Sequence, residues 1–144
     1  MAASAPTVLT GTIGDDVHVI GIRIIEYALR KAGYDVVPLG VLVSQEQFVA
    51  AALETDAAAM FVSSLNGHAE ISLRGFREAC VEAGLADILI YVGGQLTIRR
   101  PPWDEVRRLF EDELGVDRVY PPDMDPGDAV RELSADLARV RGRS

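Results

Sequence analysis

The 144-residue sequence has little of several residue types that carry chemistry. Its one cysteine, Cys80, excludes an internal disulfide framework and suits a reducing cytoplasm. Lys31 is the only lysine, so functions that need a catalytic lysine have almost nowhere to put it. The two histidines, His18 and His68, do not combine with Cys80 in a zinc-ligand spacing. No apolar run approaches the roughly 18 residues of a membrane span. Met1 to Pro6 lack the charged start and apolar stretch of a signal peptide, and read as a short disordered tail before a single domain over 7–144. The net charge of −8 argues against nucleic acid and anionic membrane as partners. Glycines 11, 14 and 21 miss the dinucleotide-binding spacing, and neither a phosphate loop nor a Gly-x-Ser-x-Gly elbow occurs.

What is present is a regular alternation of patterns. Val8 to Ile13 reads as a strand, and the apolar stripe from Ile22 to Leu29 as a helix ended by Gly33, with Arg23, Glu26, Arg30 and Lys31 mostly on its opposite face. Tyr34 to Leu39 is a second strand, whose Pro38 suits a sheet edge or strand end. Ser44 is a good N-cap, and Gln47 completes a capping box for a helix to about Glu54. The unbroken apolar runs Ala57 to Val62 and Ile88 to Val92 suit strands buried on both faces. Helices are predicted over 71–83, 103–114 and 128–140, with a short strand over 117–120. Five strands alternating with helices define an α/β domain. The number of units suits a doubly wound, flavodoxin-like parallel sheet (Rossmann-like) of order 2-1-3-4-5, whose ligand crevice lies at the ends of strands 1 and 3.

The two richest loops, 14–21 and 63–69, follow those strands. Asp15 and Asp16 imitate the magnesium-binding pair of a phosphorylation receiver domain. That reading fails after strand 3, where Ser63 and Ser64 stand in place of an aspartate, and after strand 5, where Pro121 and Pro122 replace a lysine.

Three pieces remain: Asp16-Val17-His18-Val19-Ile20-Gly21, then Ser63-Ser64-Leu65, then Gly93-Gly94. Together and in this order they resemble the signature of the cobalamin-binding domains of adenosylcobalamin mutases and methionine synthase. With Gly40-Val-Leu and Asp117-Arg-Val-Tyr-Pro-Pro122, the chain resembles the small (sigma) subunit of glutamate mutase, also called methylaspartate mutase, over about residues 7–140. The resemblance implies that His18 is the lower axial ligand of cobalt in adenosylcobalamin. Asp16 then accepts the other ring proton of His18, fixing its tautomer and raising its basicity. A histidine ligand displaces the cofactor's own dimethylbenzimidazole, and small residues at Gly21, Ser63, Gly93 and Gly94 would leave a slot for it beside the sheet. Asp15, Val17, Val19, Ser64, Leu65, Gly67, Gln95, Leu96 and Thr97 complete the expected cofactor contacts.

The resemblance further implies a separate barrel (epsilon) subunit that binds L-glutamate, a sigma2-epsilon2 heterotetramer, and radical rearrangement of L-glutamate to L-threo-3-methylaspartate. The sequence departs from the usual pattern at Asn66 and Ala69, and at Gln95, which bears on the corrin edge or the fit to a partner. The alternative is a corrinoid-binding carrier or sensor serving a methyltransferase, another mutase or a regulator. Methyltransferase carriers usually have an added helical cap, for which no residues remain. His68 reads as a surface or corrin-facing residue, Cys80 as a small buried hydrophobe, and Trp103 as packing for the start of its helix. The acidic clusters at 111–113 and 123–128 read as solvated.

Overall fold

The computed structural model describes residues 5–14, 20–64, 69–94, 102–121 and 124–141; at 20, 21 and 141 it describes the backbone alone. Its strands are β1 (Thr7–Thr12), β2 (Asp35–Pro38), β3 (Ala59–Ser63), β4 (Leu89–Gly93) and β5 (Arg118–Val119). All pair in parallel in the order β2-β1-β3-β4-β5. The predicted topology is therefore the one observed, with Pro38 on an edge strand where one missing N–H costs no ladder bond.

The side chains of a strand alternate between faces, so each strand feeds two cores. On one face Leu9, Met60, Val62 and Ile90 pack with Phe48 and Ala52 of α2 (Gln45–Thr55), Leu73 of α3 (Ala69–Leu73), and Phe76 and Cys80 of α4 (Phe76–Glu82). Val106 of α5 (Trp103–Arg107) and Phe110 complete that layer, with Trp103 packed against it. On the other face Val8, Ala59, Phe61, Leu89 and Tyr91 meet Ile22, Ile25 and Leu29 of α1 (Ile20–Lys31) and Leu133 and Leu137 of α6 (Pro126–Arg141). Burial on both faces is why β3 and β4 read as continuous apolar runs. Among the described residues, no helix is long and apolar enough to cross a membrane.

The capping box at α2 forms as expected: the Gln47 N–H donates to Ser44 Oγ at 3.1 Å, and the Ser44 N–H to Gln47 Oε1 at 2.8 Å. Three expectations are corrected. The helix predicted over 71–83 is two helices, broken at Gly75, whose φ of +80° lies outside helical space. The helix over 103–114 is α-helical only to Arg107 and continues as a π-helix over Arg108–Glu113. Val106, Phe110 and Leu114 are buried and recur every fourth residue along it. Glu26 is not on a solvated face: it is 9% exposed, and Thr10 Oγ1 donates to its carboxylate at 2.5 Å.

Candidate functional site

A cleft of about 140 Å³ opens at the carboxyl ends of β3 and β4, between α1 and α6. Its first wall is α1, through Ile22, Ile24 and Ile25. Its opposite wall is the stretch running from β5 into α6, through Tyr120, Pro121, Met124 and Pro126. The floor is the sheet, through Phe61, Ser63 and Gly93, with Gly94 beside them.

Register explains why space exists here. Thr12, Ser63 and Gly93 are neighbours in adjacent strands, and one step back along the same face stand Thr10, Phe61 and Tyr91. The rings of Phe61 and Tyr91 meet edge-on at 5.0 Å, and Tyr91 and Tyr120 at 5.9 Å, so this deeper row is filled. The outer row carries a serine and a glycine where the inner one carries two aromatic rings. The drop in side-chain size opens the cleft. A Cβ added at Gly93 would lie 3.7 Å from Tyr120 Cβ, an ordinary contact, so packing within the chain does not require a glycine there. The bare floor leaves room for something else.

Both walls are held to the sheet by buried and half-buried polar contacts. On α1, the Thr10–Glu26 bond crosses from strand to helix. On α6, the Arg118 guanidinium donates to Asp136 at 2.7 and 3.1 Å and to Glu132 at 2.5 Å. The Tyr91 hydroxyl donates to Asp136, and the Tyr120 hydroxyl to Glu132 at 3.1 Å. Hydrogen bonds from Arg118 hold the Asp136 carboxyl below its ordinary pKa. Burial, followed by the Asp136 contact, pushes the Tyr91 phenol well above its own; burial, followed by Glu132, does the same for Tyr120. Both phenols thus remain protonated donors. Tyr120 turns its polar end to α6 and leaves its ring to the cleft.

The structure brings together three of the small residues expected at the slot: Ser63, Gly93 and Gly94 line the cleft. Ser63 and Gly93 are the last residues of their strands rather than loop residues. Ser64 follows directly and is buried, its N–H donating to Gly93 O at 3.1 Å. Gly21 is the second residue of α1, one position before the cleft wall. Asp15, Asp16, Val17, His18 and Val19 fall in the connection from β1 to α1 and lie outside the described residues, as do Leu65, Gly67 and His68, and Gln95, Leu96 and Thr97. Gly14, just before that first connection, is close to α3: a Cβ there would stand 2.6 Å from Ser72 Oγ. Sequence reasoning missed the cleft walls. Ile22 and Ile25 belong to the apolar stripe of a predicted helix, and Met124 and Pro126 to the acidic stretch 123–128 that reads as solvated. Tyr120 belonged to the quoted Asp117–Pro122 stretch, which was the one available signal.

Residues 6–119 match the B12 binding domain family. The chain is 55% identical to the glutamate mutase sigma subunit of Carboxydothermus hydrogenoformans, over 88% of this chain and 92% of that one. It is 44% identical to the glutamate mutase sigma subunit of Clostridium cochlearium, over 91% and 95%. Among solved structures, a cobalamin-binding protein from Desulfitobacterium hafniense shares the fold with a TM-score of 0.75 at 22% identity. That match covers 92% of this chain and 59% of the other.

Proposed function

This chain belongs to the glutamate mutase sigma-subunit family of B12-binding domains, and from that premise we propose that it carries adenosylcobalamin for a carbon-skeleton mutase. The observation that carries the reading is the apolar cleft floored by Ser63 and Gly93. A cobalamin bound through a protein histidine needs a place for its displaced base. The residues present fit that group: the floor is bare although the chain's own packing would accept a side chain there, and the walls are hydrocarbon and aromatic.

In this reading His18 would hold the cobalt through one ring nitrogen, and Asp16 would accept the proton on the other, fixing the tautomer. Asp15, Val17, Val19 and Gly21 would add cofactor contacts before and at the start of α1. Ser64, Leu65 and Gly67, with Gly94, Gln95, Leu96 and Thr97, would complete those contacts. Thr10–Glu26 ties one wall to the sheet and the Arg118–Asp136–Glu132 group the other, which supports a slot between them. When bound, the cofactor would supply the radical chemistry of the rearrangement. The substrate pocket belongs to a separate barrel subunit, in a sigma2-epsilon2 assembly in the cytoplasm, where L-glutamate becomes L-threo-3-methylaspartate. The likeness to sigma subunits over nearly their whole length favours this role over that of a methyl-group carrier.

The test is visible absorption and electron paramagnetic resonance of the purified protein with added cobalamin, comparing wild type with His18→Ala. The expected result is a base-off cobalt(II) spectrum with nitrogen hyperfine splitting that disappears in the variant. Splitting that persists in His18→Ala would exclude His18 as the ligand. Failure of the wild type to bind cobalamin, with and without the large subunit, would remove the cofactor reading.

A further inference from the structure

We infer that Gln45 is a positioning residue for the cofactor. Through the short helix α3 it sets where the connection carrying His18 begins and where the connection carrying Leu65 and Gly67 ends. The inference rests on the cobalamin role proposed above and adds a residue on the face of the sheet away from the cleft. Gln45 is the first residue of α2 and is half-buried. Its side-chain amide donates to Ser72 O at 2.8 Å, within α3, and to Arg74 O at 2.9 Å, just after it. α3 depends on such support. It has five residues, a length at which a helix is marginal on its own, and Gly75 separates it from α4. Ala69 and Leu73 anchor it in the core, and the Gln45 amide grips its carboxyl end.

Two contacts link α3 to the site. Its first residue, Ala69, directly follows the connection over 65–68. Ser72 stands against Gly14, the last described residue before the connection over 15–19. A Cβ on Gly14 would lie 2.6 Å from Ser72 Oγ and 3.6 Å from Ser72 Cβ. Gly14 is also held by its N–H, which donates to Val43 O at 2.9 Å, while Ile13 and Val43 form a parallel bridge. The stretch 43–45 therefore holds Gly14 directly through Val43 and, through Gln45, the helix that packs on Gly14. Gly14, Ser72 and this stretch close a triangle beyond the end of β1, and His18 lies four residues past one corner. A ligand nitrogen has to be held within about 0.5 Å of its productive position, and supporting contacts decide whether it is.

The experiment compares wild type with Gln45→Met, which keeps the side-chain length and loses the donor, and Gln45→Lys, which keeps a donor. Ser72→Ala and the double variant Gln45→Met with Ser72→Ala complete the set. Both positions are half-buried and outside the two cores, so the variants should fold, and all are measured where unfolding is negligible. In the free proteins, amide hydrogen exchange at Gly14 should accelerate by about threefold to tenfold in Gln45→Met, with Ile90 and Val92 of β4 unchanged. The Kd for cobalamin should rise by about the same factor. Electron paramagnetic resonance with isotopically labelled histidine separates ligation by the protein from ligation by the cofactor's own base. The histidine-ligated share of bound cobalt(II) should fall in Gln45→Met and recover in Gln45→Lys. A residue that only stabilised α2 would lower the unfolding midpoint and leave that share alone. The double variant should weaken binding by less than the product of the two single effects, because both substitutions act through one contact. Unchanged Gly14 exchange or unchanged cobalamin Kd in Gln45→Met overturns the inference, and so do single effects that simply multiply. Failure of the wild type to bind cobalamin removes the functional reading beneath it, and the role of Gln45 toward the cofactor falls with it.

Discussion

Replacing Gly93 by valine separates stability from cofactor binding, because the structure assigns the two opposite signs. Gly93 ends a central strand, and its backbone is not among those with positive φ, so a β-branched residue is compatible with its conformation. The new Cβ would stand 3.7 Å from Tyr120 Cβ, and among the described residues, its chain neighbours aside, no other heavy atom lies within 4 Å. Glycine inside a strand costs about 0.5–1 kcal/mol relative to alanine, so the free protein is expected to gain roughly that amount. The γ-methyl groups would project into a cleft of only about 140 Å³. Forcing a base into the remaining space costs about 1–3 kcal/mol, the usual penalty of overpacking. That corresponds to about a 5- to 150-fold rise in Kd for cobalamin. Urea denaturation reads the first quantity and absorption titration the second. Cobinamide, lacking the base, serves as the control and should bind both proteins alike. Unchanged cobalamin affinity, or an equal loss for cobinamide, would refute the argument that the floor exists to receive the base.

Other outcomes follow from the contacts around the cleft. Asp136→Asn should lower stability by about 1.5–3 kcal/mol at pH 7, since the carboxylate is buried and bonded to Arg118 and Tyr91. Because the folded carboxyl lies below its ordinary value, its stabilisation is present above about pH 4 and is lost as the pH falls through the folded value. The stability difference between wild type and Asp136→Asn should accordingly shrink on acidification; a constant difference from pH 7 to pH 3 would contradict this. Ser44→Ala removes the hydroxyl that accepts from the Gln47 N–H in a formed capping box and should cost about 1 kcal/mol by thermal unfolding. The Cys80 thiol is fully buried, and burial pushes its pKa up, so thiol reagents should label it only as fast as the native state opens. Rapid labelling of the folded protein would show that the α4 layer is looser than its packing implies.

Most of the sheet was legible in the sequence because its signals are local. Ala57 to Val62 and Ile88 to Val92 contain no polar alternation, and a strand buried on both faces has no reason to alternate. Ser44 and Gln47 stand three residues apart and satisfy each other's backbone, so that helix start could be read from four letters. The helix break was hidden because the surroundings of Gly75 look helical, and only its backbone angle shows otherwise. Glu26 was placed with the charged face of α1, since nothing in its own helix indicates that Thr10 waits across the interface. The site divides in the same way. The floor residues Ser63 and Gly93 were legible through short motifs, whereas the wall joins Ile22 to Met124 across about a hundred positions. Such a pairing arises from the crossover of α6 onto the face already held by α1, and no local pattern records it.

The row of small residues at the strand ends also sets how this cleft is able to vary. Side chains return to the same face only every second residue, a translation of about 6.6 Å along a parallel strand. Enlarging the space toward the middle of the sheet is therefore not a graded adjustment. The next row consists of Phe61 and Tyr91, two rings in contact, with Tyr91 also bonded to Asp136 on α6. Removing them would take away the support of one wall along with the floor. Depth is thus quantised by the pleat and fixed in this chain at a single step, whereas width is free to drift with the residues on α1 and before α6. Divergence among proteins built on this plan should show up as narrower or wider clefts far more often than as deeper ones.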